Sequence, residues 1–324
     1  MVSSSKTRVV VTRRLPEAVE ARLRDAFDVH LNDADRPLSP ADLRAAMQSA
    51  DGVLTTVTDQ VDADIIRADG RRRAGIVANF AVGVNNIDLD AARAVGLVVT
   101  NTPGVLTDAT ADIAIALMLM VTRRTWESER MLRAGTWPGF APTLLLGSGL
   151  QDKVLGVVGM GRIGQAVARR AHFGFGMRVV YFNRSNVADP GVPADPLTSL
   201  DAVMASSDVV SLHLPGGSAN ARAISAERIG LMKPTAVLIN TARGDVVDEP
   251  ALISALQERR IAGAGLDVFE SEPHVPPDLI ALDNVALLPH IGSATVETRT
   301  AMGMLAVDNL VAHFSSQNYP ARVV

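Results

Sequence analysis

The stretch from Val154 to Ser185, VLGVVGMGRIGQAVARRAHFGFGMRVVYFNRS, reads as a strand, a glycine turn, a helix and a second strand. Gly159, Gly161 and Gly164 set the spacing GxGxxG. The first glycine permits the tight turn, the second lets a pyrophosphate approach the backbone, and the third lets the helix pack on the strand. The spacing alone is a weak signal. Here it follows the apolar run Val154, Leu155, Val157 and Val158 and opens a helix, whose free N–H groups and positive dipole end suit phosphate. The ligand this implies is a nicotinamide dinucleotide, with Met160, Arg162 and Ile163 lining the turn beside the three glycines.

The end of the second strand bears on which dinucleotide. An NAD site usually ends this strand in Asp or Glu, about 20 residues beyond the glycines, to accept from the ribose hydroxyls. This chain has Asn183 there, 19 positions after Gly164, followed by Arg184 and Ser185. A carboxylate would repel the 2′-phosphate of NADP; an amide, a guanidinium and a hydroxyl would donate to it. The plainer reading of Arg184 is a solvated residue after a strand. The expectation is NADP(H) in preference to NAD(H).

At 324 residues and 48% hydrophobic content the chain is long enough for two domains with separate cores. A net charge of −4 gives no general attraction to nucleic acid or an anionic membrane, so a substrate anion must be held by local groups. The absence of cysteine excludes disulfides, thiolate catalysis and a Cys-based zinc site, and the six histidines show no HxxxH or HExxH spacing, so no metal is expected. No apolar run approaches the ~20 residues of a membrane-spanning helix. The opening MVSSSKTRVVVTRR is faintly similar to a transit peptide, but Val9 to Val11 read better as a first strand and the protein as cytoplasmic.

Strands are expected at Arg8 to Thr12, Asp28 to Leu31, Gly52 to Thr56, Gly75 to Phe80 and Leu97 to Asn101. Leu15, Val19, Leu23 and Phe27 recur every four residues around Pro16, and Ser39-Pro40 has the form of a cap followed by a first-turn proline. A second series, near Val154 to Gly159, Arg178 to Phe182, Val209 to Leu214, Ala236 to Asn240, Gly263 to Asp267 and Val285 to Leu288, makes a full Rossmann domain. Alternating β and α elements predict α/β architecture with two doubly wound parallel sheets. Between the series, Asp108 to Arg124 is apolar on nearly every face and reads as a buried linking helix. The last helix, Thr295 to Phe314, is expected to return to the N-terminal domain. The expected domains are 1–101 with 294–324, and 102–293. A cleft between two such halves would put a ligand at the carboxyl ends of the strands.

Three polar residues follow successive Rossmann strands: Arg243 in AVLINTARGDVVD, Glu272 in GLDVFESEP and His290 in NVALLPHIGSAT. Singly each has a duller reading: Arg243 pairing with Asp245 or Asp248, a solvated glutamate, a structural histidine after proline. Jointly they match the needs of 2-oxo acid reduction. Arg243 supplies a planar cation for the carboxylate. His290 supplies a proton donor whose unperturbed pKa of about 6.5 lies near neutrality. Glu272, ionised and bonded to His290, would favour the imidazolium. Leu214, Pro215, Thr241, Ala242, Asp267 and Gly292, with Arg243 and His290, are the strand-end positions expected to touch the cofactor.

The motifs GMGRIGQAVARR, INTARG, GLDVFESEP and PHIGSAT, in that order, resemble the D-2-hydroxyacid dehydrogenase family, and within it the glyoxylate/hydroxypyruvate reductase branch, over roughly Gly52 to Asn309. The resemblance implies a Rossmann domain and a flavodoxin-like substrate domain. It also implies NADPH-dependent reduction of glyoxylate and hydroxypyruvate to glycolate and D-glycerate. The family's substrate arginine, carboxylate and acid/base histidine fall on Arg243, Glu272 and His290. The segment NFAVGVNNID is similar to a loop whose backbone N–H groups bind the substrate carboxylate, implying Val82 and Gly83; Asn85 and Asn86 read as an ordinary turn. GTWPGFAPTLLLG resembles a segment that crosses a homodimer interface; relatives often carry Trp where this chain has Phe140, and Trp137 reads as interface packing. Glu272 argues against formate dehydrogenase, which usually has Gln there. With no regulatory domain after the closing helix, serine control is not expected. The rival readings are a short phosphoglycerate dehydrogenase and a dinucleotide-sensing corepressor, the latter disfavoured by a compact chain without docking tails.

Overall fold

The computed structural model describes residues 6–324; the serines at 3–5 that give the leader-like impression lie outside them. The chain divides into two compact units, one running to Leu106 and resuming over Ala294–Val324, the other spanning Thr107–Ser293.

The first unit is built on β1 (Arg8–Val11), β2 (Asp28–His30), β3 (Gly52–Thr56), β4 (Ile76–Phe80) and β5 (Val98–Thr100), all parallel, in the order β2-β1-β3-β4-β5. This is the flavodoxin-like order. The helix Glu17–Ala26 buries Val19 and Leu23, as the four-residue repeat requires. The helix Pro40–Ser49 starts with a full capping box between Ser39 and Asp42, with Pro40 in its first turn. One face of the sheet packs Val9, Val11, Leu54, Ile76 and Ala78 against Val307 and Leu310 of the helix Val296–Phe314.

The second unit contains β6 (Val154–Val158), β7 (Arg178–Phe182), β8 (Ala194–Pro196), β9 (Val209–Leu212), β10 (Val237–Asn240), β11 (Gly263–Leu266) and β12 (Val285–Leu287). They form one parallel sheet in the order β12-β11-β10-β9-β6-β7-β8, the doubly wound Rossmann pattern. Its direction of growth reverses between β6 and β9, and ligands of such sheets bind at the carboxyl ends of the strands at that reversal. Every residue of β9, β10 and β11 is buried, as expected of central strands covered by helices on both faces.

Two elements depart from the sequence expectation. β8 forms from the short triplet Ala-Asp-Pro by pairing with β7, and its proline is tolerated because it lies on the sheet edge. The helix Thr107–Thr122 is not buried all round: Ala111, Ala114, Leu117 and Met118 are buried, whereas Ile113, Ile115, Leu119 and Met120 are only partly covered. A further helix, Thr125–Arg133, has no buried residue at all.

Candidate active site

The glycine turn leaves β6 at the switch point and is shaped by what its glycines avoid. Gly159 has φ +95°, and a β-carbon there would lie 2.7 Å from the carbonyl oxygen of His213 after β9. A β-carbon on Gly164 would overlap the carbonyl oxygen of Gly159. At Gly161, by contrast, nothing lies within 4 Å of the added atom. That open face sits at the start of the helix Arg162–Phe175, whose N-cap Gly161 offers no side-chain cap, leaving first-turn N–H groups for an anion. Thr241, just beyond β10, holds a buried hydroxyl with no hydrogen-bond partner in the protein. An open glycine face, an uncapped helix start and an unpaired buried hydroxyl fit a bound dinucleotide. His213 borders the turn as a neutral imidazole: burial pushes its pKa down to about 3, and Nε2 is 2.9 Å from Ser211 Oγ.

At the end of β7 the Asn183 amide is bonded within the protein. Its Oδ1 accepts from Met160 N–H at 3.1 Å, and its Nδ2 donates to the carbonyl oxygen of Ser185 at 2.9 Å and to Ser185 Oγ at 3.1 Å. Arg184 and Ser185 are exposed.

Arg243 is held on a loop fastened at several points. Buried Asn240 reaches over it, donating from Nδ2 to the carbonyl of Arg243 at 2.8 Å and accepting from Ala242 N–H at 3.0 Å. Asp245 Oδ2 accepts from Gly217 N–H at 2.6 Å, drawing the loop after Leu214 and Pro215 onto Arg243; a β-carbon on Gly216 would come within 2.9 Å of Arg243 Cγ. Burial lowers the Arg243 pKa, and the charges of Glu272 and Asp245 offset part of that. It remains a cation at any working pH.

Glu272 and His290 meet directly: His290 Nδ1 lies 2.7 Å from Glu272 Oε2, while Glu272 Oε1 accepts from Phe269 N–H at 3.0 Å. Burial alone would raise the Glu272 carboxyl, but the bond to His290, the Phe269 N–H and the charge of Arg243 together hold it below the ordinary range, so it is ionised at neutral pH. His290 itself is left-handed, with φ +54°, a conformation costing a non-glycine residue about 1–2 kcal/mol. Asp267 holds it there. The Asp267 carbonyl accepts from His290 N–H at 2.9 Å, and its carboxylate accepts from Ile291 and Gly292 N–H at 2.7 and 2.8 Å. Burial raises the Asp267 carboxyl, and these two N–H bonds oppose the shift.

Val82 and Gly83 belong to the other unit, in the turn after β4. Their carbonyls accept from Asn101 Nδ2 at 2.8 Å and Asn79 Nδ2 at 3.0 Å, which fixes the peptide planes of the turn. Asn86, read above as an ordinary turn residue, is buried, and its Nδ2 donates to the carbonyls of Thr56 and Asp59 at 3.1 and 3.0 Å. The clamps formed by Asn240, Asp267, Asn79 and Asn86 were not assigned from sequence. For Asn240, Asp267 and Asn79 the only signal was a polar residue in or just beyond an apolar strand; Asn86, in the loop after β4, carried none.

Comparison with known proteins places this geometry. Residues 115–292 match the family model described as D-isomer specific 2-hydroxyacid dehydrogenase, NAD binding domain. The glyoxylate reductase of Thermococcus litoralis is 43% identical over 325 residues, covering 98% of this chain and 97% of its own length. A putative D-isomer specific 2-hydroxyacid dehydrogenase from Polaromonas superposes with a TM-score of 0.91 at 39% identity, covering 98% of this chain and all of that one. The NADPH-dependent glyoxylate/hydroxypyruvate reductase of Sinorhizobium meliloti, solved with NADP and malonate, gives a TM-score of 0.88 at 38% identity, covering 99% and 97% of the two chains.

Proposed function

The chain belongs to the D-isomer specific 2-hydroxyacid dehydrogenase family, in its glyoxylate reductase branch, and from that premise we propose that it reduces glyoxylate and hydroxypyruvate with NADPH, His290 being the proton donor. The single observation that carries the proposal is the 2.7 Å bond between His290 Nδ1 and an ionised Glu272, within reach of the charge of Arg243. With Nδ1 committed to the carboxylate, Nε2 is the nitrogen left to exchange a proton with substrate.

The dinucleotide, when bound, supplies the hydride. Gly159 to Gly164 would hold its pyrophosphate, with Leu214, Pro215, Thr241, Ala242 and Gly292 bordering it. Arg243 binds the substrate carboxylate through its planar fork and polarises the adjoining carbonyl. His290 Nε2 then delivers a proton to the carbonyl oxygen, and the Glu272 carboxylate stabilises the imidazolium before transfer. In the reverse direction neutral His290 takes the hydroxyl proton. Asp267 takes part by holding the turn that carries His290. The N–H groups of Val82 and Gly83 are proposed as further carboxylate donors, in a first unit that serves as the substrate domain.

The preference for NADPH rests on the lack of a carboxylate at position 183 and on the exposed donors Arg184 and Ser185. A homodimer built through the second unit is also proposed. The half-covered face of Thr107–Thr122 and the exposed Leu132, Trp137 and Phe140, the last 89% accessible, leave apolar surface that a second copy would cover. Light scattering on the purified protein tests this, a monomer at micromolar concentration overturning it. No helix among the described residues is long and apolar enough to cross a membrane, and a cytoplasmic location is part of the same proposal.

A steady-state panel of glyoxylate, hydroxypyruvate, pyruvate and a bulkier 2-oxo acid against NADPH and NADH tests the reaction. The expected result is rapid turnover with NADPH and either of the first two acids. Tight cofactor binding without turnover on any acid would favour a dinucleotide sensor instead.

A further inference from the structure

We propose that Asn183 acts in cofactor choice without touching the cofactor, as a positioning residue that turns the hydroxyl proton of Ser185 outward, toward a 2′-phosphate. The inference rests on the NADPH reading above and concerns how that preference is produced.

The orientation of the Asn183 amide is settled by its partners. Met160 N–H can only donate, so the atom facing it at 3.1 Å is Oδ1; the carbonyl of Ser185 can only accept, so the atom facing it at 2.9 Å is Nδ2. Nδ2 also lies 3.1 Å from Ser185 Oγ. An amide nitrogen has no acceptor capacity, so Oγ must accept in that contact. The hydroxyl's own proton is thereby excluded from the inward direction and left to donate on the exposed side. Ser185 and Arg184 are both exposed there, next to the end of β7. One amide thus links the glycine turn, through Met160, to the residue two positions beyond it in the chain.

The same geometry gives a second meaning to the usual aspartate at this place. A carboxylate could still accept from Met160 N–H, but its other oxygen would meet the Ser185 carbonyl without a proton between them. It would instead accept from Ser185 Oγ, pulling the hydroxyl proton inward. Asn183→Asp would therefore add a repulsive charge and also remove a donor. Charge repulsion alone would leave that donor in place.

A double-mutant cycle separates positioning from direct contact. Calorimetry on the whole chain, with 2′,5′-ADP and 5′-AMP as probes, gives the ratio of the two affinities, which isolates the 2′-phosphate. Ser185→Ala is expected to lower that ratio by about tenfold, the scale of one hydrogen bond to a charged group, and Asn183→Ala, which keeps the hydroxyl but frees its rotation, by a smaller factor of about two to three. The double variant should fall no further than Ser185→Ala, and Ser185→Thr, which keeps the hydroxyl, should hold most of the wild-type ratio. If the two losses multiply, Asn183 touches the phosphate itself and the inference is overturned. It is overturned equally if Asn183→Ala keeps the wild-type ratio. Should alanine unfold the turn, Asn183→Asp serves in the same cycle, since it keeps the side-chain size and the Met160 bond; removing Ser185 Oγ in that background should change nothing. A wild-type ratio near one would sink the NADPH reading itself, and the positioning role with it.

Discussion

The backbone of Gly244 rests directly on the carbonyl group of Phe269, with no room for a β-carbon between them. Through this contact the loop carrying Arg243 is pressed against the loop carrying Glu272, because Phe269 N–H is itself bonded to Glu272 Oε1. Gly244→Ala must therefore part the two loops. The expected cost is about 1–3 kcal/mol or more of stability, the scale of overpacking in a tight site. A larger loss should appear in kcat, measured well below the melting temperature, since Glu272 is displaced from His290. A variant with wild-type kcat and stability would show that the two loops move independently.

Gly161 makes the opposite case. Nothing lies within 4 Å of its missing side chain, and its φ of −81° suits any residue. Gly161→Ala should leave the melting temperature of the cofactor-free protein within a degree or two of wild type, yet weaken NADPH binding by about tenfold or more, because the added methyl group occupies space needed by the pyrophosphate. Fluorescence titration of the cofactor and a thermal melt together check both halves.

His290→Ala should lower kcat by about 10²-fold or more, the usual scale for a positioned acid/base. Arg243→Ala should raise KM for the 2-oxo acid and lower kcat together, and Arg243→Lys should recover only part of the loss, because a point charge lacks the planar fork. Single-turnover measurements of reduced-cofactor absorbance distinguish the two patterns.

His213 predicts a pH dependence of stability. Its folded pKa is lowered by burial to about 3, against about 6.5 in an unfolded chain. The unfolded state therefore gains a proton below pH 6.5 that the folded state refuses. The stability associated with neutral His213 is complete above pH 6.5 and is lost as pH falls toward 3, at about 1–1.5 kcal/mol per pH unit. Denaturant unfolding at pH 7.5 and pH 5 should show a steeper loss in the wild-type protein than in His213→Gln, which keeps a polar partner for Ser211 and has nothing to titrate. Parallel curves for the two proteins would contradict a neutral imidazole at His213.

Much of the architecture was legible because the strands are short apolar runs with functional residues at their ends. Arg243, Glu272 and His290 could be placed in one site from topology alone, since β10, β11 and β12 are neighbours in a parallel sheet. The hydrogen bonds that hold the site could not. Asn183 was read as a donor to ligand because its spacing from the glycines fits; its actual partners, Met160 and Ser185, depend on the path of the chain after β7. Asp267 and Asn240 likewise sit in recognisable motifs, but whether such residues face a ligand or their own loop is a matter of side-chain direction, on which periodicity is silent. β8 escaped notice because an edge strand of Ala-Asp-Pro carries no apolar alternation. The helix Thr107–Thr122 reads as buried all round because composition records hydrophobicity and says nothing of which face the rest of the chain covers.

The return of the chain to its first unit at Ala294 has a consequence for biosynthesis. The sheet face formed by Val9, Val11, Leu54 and Ile76 is closed by Val307 and Leu310, which the ribosome adds only after the whole of Thr107–Ser293. At about 5–20 residues per second that interval lasts roughly 10–40 s. During that time the nascent amino-terminal segment carries an uncovered apolar sheet while the Rossmann unit, contiguous in sequence, can already collapse. Newly made chains should therefore depend on chaperone shielding of their earliest hundred or so residues, the unit begun first being the unit finished last.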